Sequence, residues 1–174
     1  INGAGSQNVF KVDNKKELNF FIDYIENPII QEYIEGIEYT IDVLCDLDGN
    51  VISIVPRERL EVRAGEVSKG RTVRNKSIIE KTLELCNKLK RDKNTKPIGP
   101  LTIQCIIDRD NNIKFIEINP RFGGGVPLTF ESGVNYAEYL GEMVKGEIIS
   151  PIIGEFKEIV MLRYDEAIYF DNKY

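Results

Sequence analysis

Two stretches of this chain alternate apolar and polar residues on either side of a turn dipeptide, and that pattern commits much of it to antiparallel sheet. In the first, Tyr39, Ile41, Val43 and Cys45 alternate with Glu38, Thr40 and Asp42. Asp48-Gly49 then turns the chain, because glycine accepts a positive φ, and Val51 to Val55 returns. The second runs from Leu101 to Asn119 around Asp110-Asn111. Helical patterns stand between and around them. Asp13 or Asn14 caps a helix to about Glu26 striped by Leu18, Phe21, Ile22 and Ile25. Ser77 to about Lys90 and about Asn135 to Lys145 read as two more. Short strands are predicted at Val9–Val12, Ile29–Ile34, Ile159–Tyr164 and Ala167–Phe170. The expected class is α+β, a largely antiparallel sheet with helices packed on one face.

Composition narrows the chemistry. The 174 residues suffice for a core without staples, and 42% apolar with 29% charged residues argues against wholesale disorder. A formal charge of −5 makes the chain a poor phosphate-backbone binder, so no nucleic-acid partner is expected. No apolar run nears the roughly 20 residues of a membrane span, and no signal-peptide pattern opens the chain. Histidine is absent, which removes Ser-His-Asp triads, Cys-His dyads and His-ligated zinc. Cys45, Cys86 and Cys105 contain no CxxC pair and suit a reducing, cytoplasmic setting as small apolar fillers. Catalysis would therefore fall to carboxylates, Arg, Lys, backbone amides or an oxygen-bound metal. Ile1 rather than Met opens the chain, and the expectation is a piece of a longer polypeptide.

The second hairpin concentrates the candidate chemistry. A two-residue turn at Asp110-Asn111 sets Gln104 opposite Glu117 and Thr102 opposite Asn119. Opposed residues share a side of the sheet, about 5 Å apart at Cβ. Alternation puts Glu117 and Asn119 on that same side. Gln104, Glu117 and Asn119 thus converge on a face that also bears Ile106 and Phe115. A hard cation such as Mg²⁺ takes such oxygens and completes its octahedron with water and phosphate. A satisfied hydrogen-bond cluster, or an exposed polar face, accounts for the same residues more economically when spacing is the only guide.

Three further segments bear on ligands. Arg57, Arg59 and Arg63 share one side of an extended stretch, with Glu66, Lys69, Arg71 and Arg74 following. The row reads equally as an anion site or as a solvated edge strand. Gly3 to Asn8 offers backbone amides to phosphate or forms a plain turn. Gly123 to Gly125, after Asn119-Pro120-Arg121, reads as a close backbone approach to a ligand or as a mobile loop.

In this order, these segments resemble the ATP-grasp superfamily, especially the carbamoyl-phosphate synthase large-subunit type and its stand-alone relatives. The likeness spans about Gly3 to Gly146. Its most specific parts are Gln31-Glu32-Tyr33-Ile34-Glu35-Gly36-Ile37-Glu38-Tyr39-Thr40-Ile41-Asp42 and Glu117-Ile118-Asn119-Pro120-Arg121-Phe122-Gly123-Gly124, preceded by Gln104. The resemblance implies an ATP-grasp fold with residues 1–34 as a remnant of the lid subdomain and 35–174 as the larger subdomain. The N-terminal subdomain and the lid lysine upstream of the glycine loop would be absent from this chain. It also implies roles. Gly3, Gly5 and Ser6 would lie over the phosphates, Gln31, Glu32 and Ile34 along the adenine edge, and Glu38 on the ribose hydroxyls. Gln104, Glu117 and Asn119 would ligate Mg²⁺, with Mn²⁺ as a substitute, and Arg121 would approach the γ-phosphate or acyl-phosphate.

The implied activity is ATP-driven carbon–nitrogen ligation. A small carboxylate or bicarbonate attacks the γ-phosphorus, and an amine or ammonia displaces phosphate from the acyl-phosphate. The alternative is a non-catalytic nucleotide-binding module that keeps the fold. Either agrees with a homo-oligomer or a monomer.

Overall fold

The computed structural model describes residues 9–63, 65–92 and 94–169. Helix α1 (Lys15–Tyr24) comes first, followed by strands β1 (Gly36–Cys45), β2 (Val51–Arg63) and β3 (Glu66–Thr72). Helix α2 (Lys76–Arg91) leads to β4 (Gly99–Asp108) and β5 (Ile113–Asn119), then α3 (Val126–Glu131), α4 (Tyr136–Val144) and β6 (Val160–Leu162). The six strands form one antiparallel sheet in the order β5-β4-β1-β2-β3-β6, so the two predicted hairpins lie side by side with β1 against β4.

Strand β1 runs through the middle and is buried on both faces over Tyr39–Cys45. Helices cover both sides, where the patterning predicts one. On one face, Cys45 meets Cys86 of α2. On the other, Thr129 of α3 donates a hydrogen bond to Asp42. Ile41, Val43, Ile54, Ile78, Cys86, Ile103 and Tyr136 belong to one core. The thiol of Cys86, together with burial, pushes the Cys45 thiol well up, and burial alone pushes Cys105 up to about 12. All three cysteines pack in the core as apolar fillers.

The cap expected at Asn14 forms, and two further asparagines cap later helices in the same way. The side chains of Asn14, Asn75 and Asn135 accept from the first turns of α1, α2 and α4. The two hairpin tips are built alike. Asp46 Oδ1 accepts from the N–H groups of Asp48 and Asn50, and Asp108 Oδ1 from those of Asp110 and Asn112. In each, the asparagine amide closes on Oδ2.

The Asn112 amide, then the backbone N–H groups of Asn112 and Asp110, hold the Asp108 carboxyl below its usual range. A carboxylate with a depressed folded pKa stabilises above its unfolded value, about 3.9, and that contribution is lost as pH falls through the folded value. Asp108→Ala therefore lowers the urea midpoint at pH 7, and the gap to wild type closes as pH drops below about 4. An equal gap at neutral and strongly acid pH would contradict this.

Several predicted elements change. Val9–Val12 is not a strand, and Val9 is exposed. Ile29–Ile34 runs outside the sheet with Ile29, Ile30 and Tyr33 exposed, since no strand among the described residues pairs with it. Helix α1 forms but buries no residue; of its apolar stripe, Phe21 stacks on Phe10 with ring centroids 4.2 Å apart. The Ile159–Tyr164 strand shortens to β6, and Ala167–Tyr169 carry no strand, with Phe170 outside the described residues. Strand β3 and helix α3 are additions. No described helix is long and apolar enough to cross a membrane.

Candidate functional site

The β4–β5 hairpin delivers the predicted face by a slightly different route. Its tip holds three residues, since Asp108 N–H donates to the carbonyl of Asn112 and Asn111 takes φ 62°. Pairing then starts one step off, with Ile107 opposite Ile113, Ile106 opposite Lys114 and Cys105 opposite Phe115. An irregularity between Gln104 and Cys105 absorbs the extra residue. Beyond it Gln104 stands opposite Glu117, and Thr102 opposite Asn119. Asn119 Nδ2 donates to Glu117 Oε1 at 2.8 Å. Phe115 is therefore across from Cys105 and not from Ile106 as expected.

Strand β1 extends this face. Glu38 stands opposite Ile106, Thr40 opposite Gln104 and Asp42 opposite Thr102. On the far side of β1, Arg57 is opposite Thr40, and Thr72 of β3 is opposite Arg57. A polar band, Glu117-Gln104-Thr40-Arg57-Thr72, thus crosses five strands in register. Within it, Arg57 is buried and forks onto Asp42, with Nε–Oδ2 2.7 Å and Nη2–Oδ1 3.0 Å. Glu38 pairs with Arg59 at 2.6 Å.

A loop closes one end of the band. Thr102 Oγ1 donates to the carbonyl of Arg121 at 2.8 Å, and Arg121 itself is exposed. Of the three glycines after it, Gly125 is spatially required and Gly123 and Gly124 are closely approached. A Cβ on Gly125 would sit 2.2 Å from Arg57 Nη1, and one on Gly124 2.2 Å from Glu66 Oε2. Their close approach is to the protein's own ionic side chains.

At the other end lies an open cleft of about 440 Å³ lined by Glu32, Tyr33, Ile34, Glu35, Asp108, Arg109, Asp110 and Lys114. Glu32 reaches Lys114 at 3.4 Å, and Arg109 pairs with Glu35. Of the predicted hinge residues, Glu32 and Ile34 line this cleft, and Gln31 lies exposed beside it in sequence. Gly3, Gly5 and Ser6 fall outside the described residues.

The remaining arginine row is satisfied internally. Arg71 pairs with Glu58, and Arg63 and Lys69 both reach Glu61. Lys69, with Ser68, holds the Glu61 carboxyl down at about 2. Arg74 donates to the carbonyls of Gly154 and Phe156. Arg121, by contrast, takes no ion pair among the described residues and donates only to the Phe122 carbonyl.

The donor set suits an ion that brings its own oxygens. Among the described residues, no three His, Cys, Asp or Glu side chains gather around one point. One carboxylate and two amides cannot saturate a divalent ion, but they leave coordination positions for phosphate and water. Glu117 Oε2 and the Gln104 amide take no hydrogen bond among the described residues, so both are available.

The six-stranded antiparallel sheet, with Gln104, Glu117 and Asn119 on one face and helices packed on both sides, has the ATP-grasp fold. The chain belongs to the family described as ATP-grasp in the biosynthetic pathway with Ter operon, whose profile matches residues 25–166. It is 29% identical over 161 residues to the carbamoyl phosphate synthase large chain of Agathobacter rectalis, covering 86% of this chain and 14% of that one. Among solved structures, it is similar to N5-carboxyaminoimidazole synthetase from Staphylococcus aureus, with TM-score 0.63, 20% identity and coverage of 87% and 40%. It is also similar to biotin carboxylase from Campylobacter jejuni in complex with β-γ-ATP, with TM-score 0.53, 19% identity and coverage of 68% and 27%. The chain thus spans well under half the length of each of these relatives.

Proposed function

We propose that this chain is the nucleotide- and metal-binding part of an ATP-dependent carboxylate ligase. The observation that carries the reading is the order of groups along one sheet face. Cleft, Glu38, Gln104 with Glu117, and Asn119 succeed one another at steps of two residues along paired strands, and Arg121 follows in the loop beyond β5. Each step is about 6.6 Å, so the series matches an extended nucleoside triphosphate laid along the strands.

On this reading, Glu32 and Ile34 border the base and Glu38 exchanges Arg59 for ribose hydroxyls. Gln104, Glu117 and Asn119 hold Mg²⁺, which neutralises phosphate charge and orients the phosphoryl group. Arg121, an exposed guanidinium with no ion pair among the described residues, faces the terminal phosphate or the acyl-phosphate made from a carboxylate or bicarbonate. An amine or ammonia then displaces phosphate. Two solved relatives lend support: a Hydrogenobacter thermophilus biotin carboxylase domain in complex with MgADP and bicarbonate, and the S. aureus synthetase complexed with ADP. Residues 1–34 are proposed as lid and 35–174 as the larger subdomain.

The test uses the full-length protein. ADP release should require both Mg²⁺ and an added carboxylate, and hydroxylamine should trap an acyl-phosphate. Absence of calorimetric ATP binding would overturn the assignment. Binding without any trapped acyl group would leave a nucleotide-binding module.

A further inference from the structure

Asn119 ends β5 and Arg121 lies in the loop that follows it; the proposed chemistry needs both in one place, yet Arg121 is exposed and three glycines follow it. Two buried side chains hold that loop. Thr102, 3% exposed, stands opposite Asn119 in register and donates to the carbonyl of Arg121. Arg57, 2% exposed, lies directly beneath the glycines. A Cβ at Gly123 would meet Thr102 Oγ1 at 3.1 Å and Arg57 Nη2 at 3.2 Å, and one at Gly125 would meet Arg57 Nη1 at 2.2 Å.

The guanidinium is itself held from below. Asp42 binds it through two parallel hydrogen bonds, and Thr129 of α3 donates to the same carboxylate. A buried ion pair is weak evidence for stability as such, because desolvation offsets much of its Coulomb energy. Its value here is geometric. A planar fork fixed by Asp42 presents a rigid surface to backbone that carries no side chains of its own.

We infer that Thr102 and Arg57 are positioning residues: they seat residues 119–125 so that Asn119 and Arg121 face the band occupied by Gln104 and Glu117. The inference rests on the proposed nucleotide site and adds to it two residues that touch neither ion nor phosphate. Seating errors of an ångström in such a site cost up to about a hundredfold in rate.

The test compares Thr102→Val and Thr102→Ser in the full-length protein by amide hydrogen exchange and by ADP release. Valine keeps the shape and removes the donor. The change is isosteric and removes a single hydrogen bond, so the fold survives. The N–H groups of Arg121 and Val126, bonded inside the loop to the carbonyls of Asn119 and Gly123, should exchange roughly tenfold faster in the valine variant. Amides of β1 should not change, and kcat should fall roughly ten- to a hundredfold with KM for ATP nearly constant. The serine variant should restore wild-type behaviour on both measures. Arg57→Lys, which keeps the charge toward Asp42 and loses the fork, should loosen the same amides. Wild-type exchange in that loop for Thr102→Val, or an undiminished kcat, would overturn the inference. A wild-type protein that releases no ADP would instead defeat the ligase reading, and the exchange rates alone would decide the seating of the loop.

Discussion

Asp42→Ala should cost about 3–5 kcal/mol of folding free energy, because it strands a buried guanidinium. The side chains of Arg57 and Asp42 are 3% and 1% exposed, so water cannot replace the lost carboxylate. The Thr129 hydroxyl loses its acceptor in the same step. Urea unfolding at neutral pH measures the loss directly. The double variant Asp42→Leu/Arg57→Met should recover most of it, since removing both charges also removes the desolvation penalty. The Glu38–Arg59 pair provides the contrast. Glu38 is 38% exposed, so Glu38→Ala should change stability by no more than about 1 kcal/mol. A loss under about 1 kcal/mol for Asp42→Ala would mean that the interior pair is hydrated.

The same pair marks where the sequence is legible and where it is not. Strands β1, β2, β4 and β5 follow from alternation and turn chemistry, since a period of two residues can satisfy only a sheet with distinct faces. The pairing of Gln104 with Glu117 agrees with a two-residue turn only because the irregularity at Gln104/Cys105 offsets the three-residue tip, and neither is visible without coordinates. Strand β3 is hidden because its buried positions are Val67, Ser68, Gly70 and Thr72, mostly small or polar. Ile29–Ile34 misleads in the opposite way, since its composition suits a strand but no neighbour supplies the ladder.

For the site, alternation puts Arg57 in a row that reads equally as an anion site or a solvated edge strand, and the structure makes it a buried support. A signal for that did exist. The Asp48-Gly49 turn sets Thr40 opposite Arg57, which leaves Asp42 diagonal to it on the same face. Thr102 gave no comparable warning, because its acceptor is a loop carbonyl nineteen positions along the chain. Lys114 was missed for a related reason: the shifted register near the tip brings it opposite Ile106 and into the cleft.

Glu117→Ala should leave the fold intact and lower ADP release by the full-length protein roughly a hundred- to a thousandfold. Glu117 is exposed, and among the described residues it makes one side-chain hydrogen bond, to Asn119. Its removal therefore costs little stability, within about 0.5 kcal/mol. That separation makes the experiment decisive. A rate loss at unchanged urea midpoint isolates the carboxylate's role toward the divalent ion, whereas Asp42→Ala loses rate and fold together. Glu117→Gln sharpens it further. The amide keeps the size and an oxygen acceptor for Asn119 Nδ2 but removes the charge that an ion shared with phosphate requires. The glutamine variant should thus fall nearly as far as the alanine one, and raised Mg²⁺ should recover only part of the rate. Either variant turning over at the wild-type rate would remove Glu117 from the ion site, and with it the reason for placing the triphosphate beside Gln104 and Asn119.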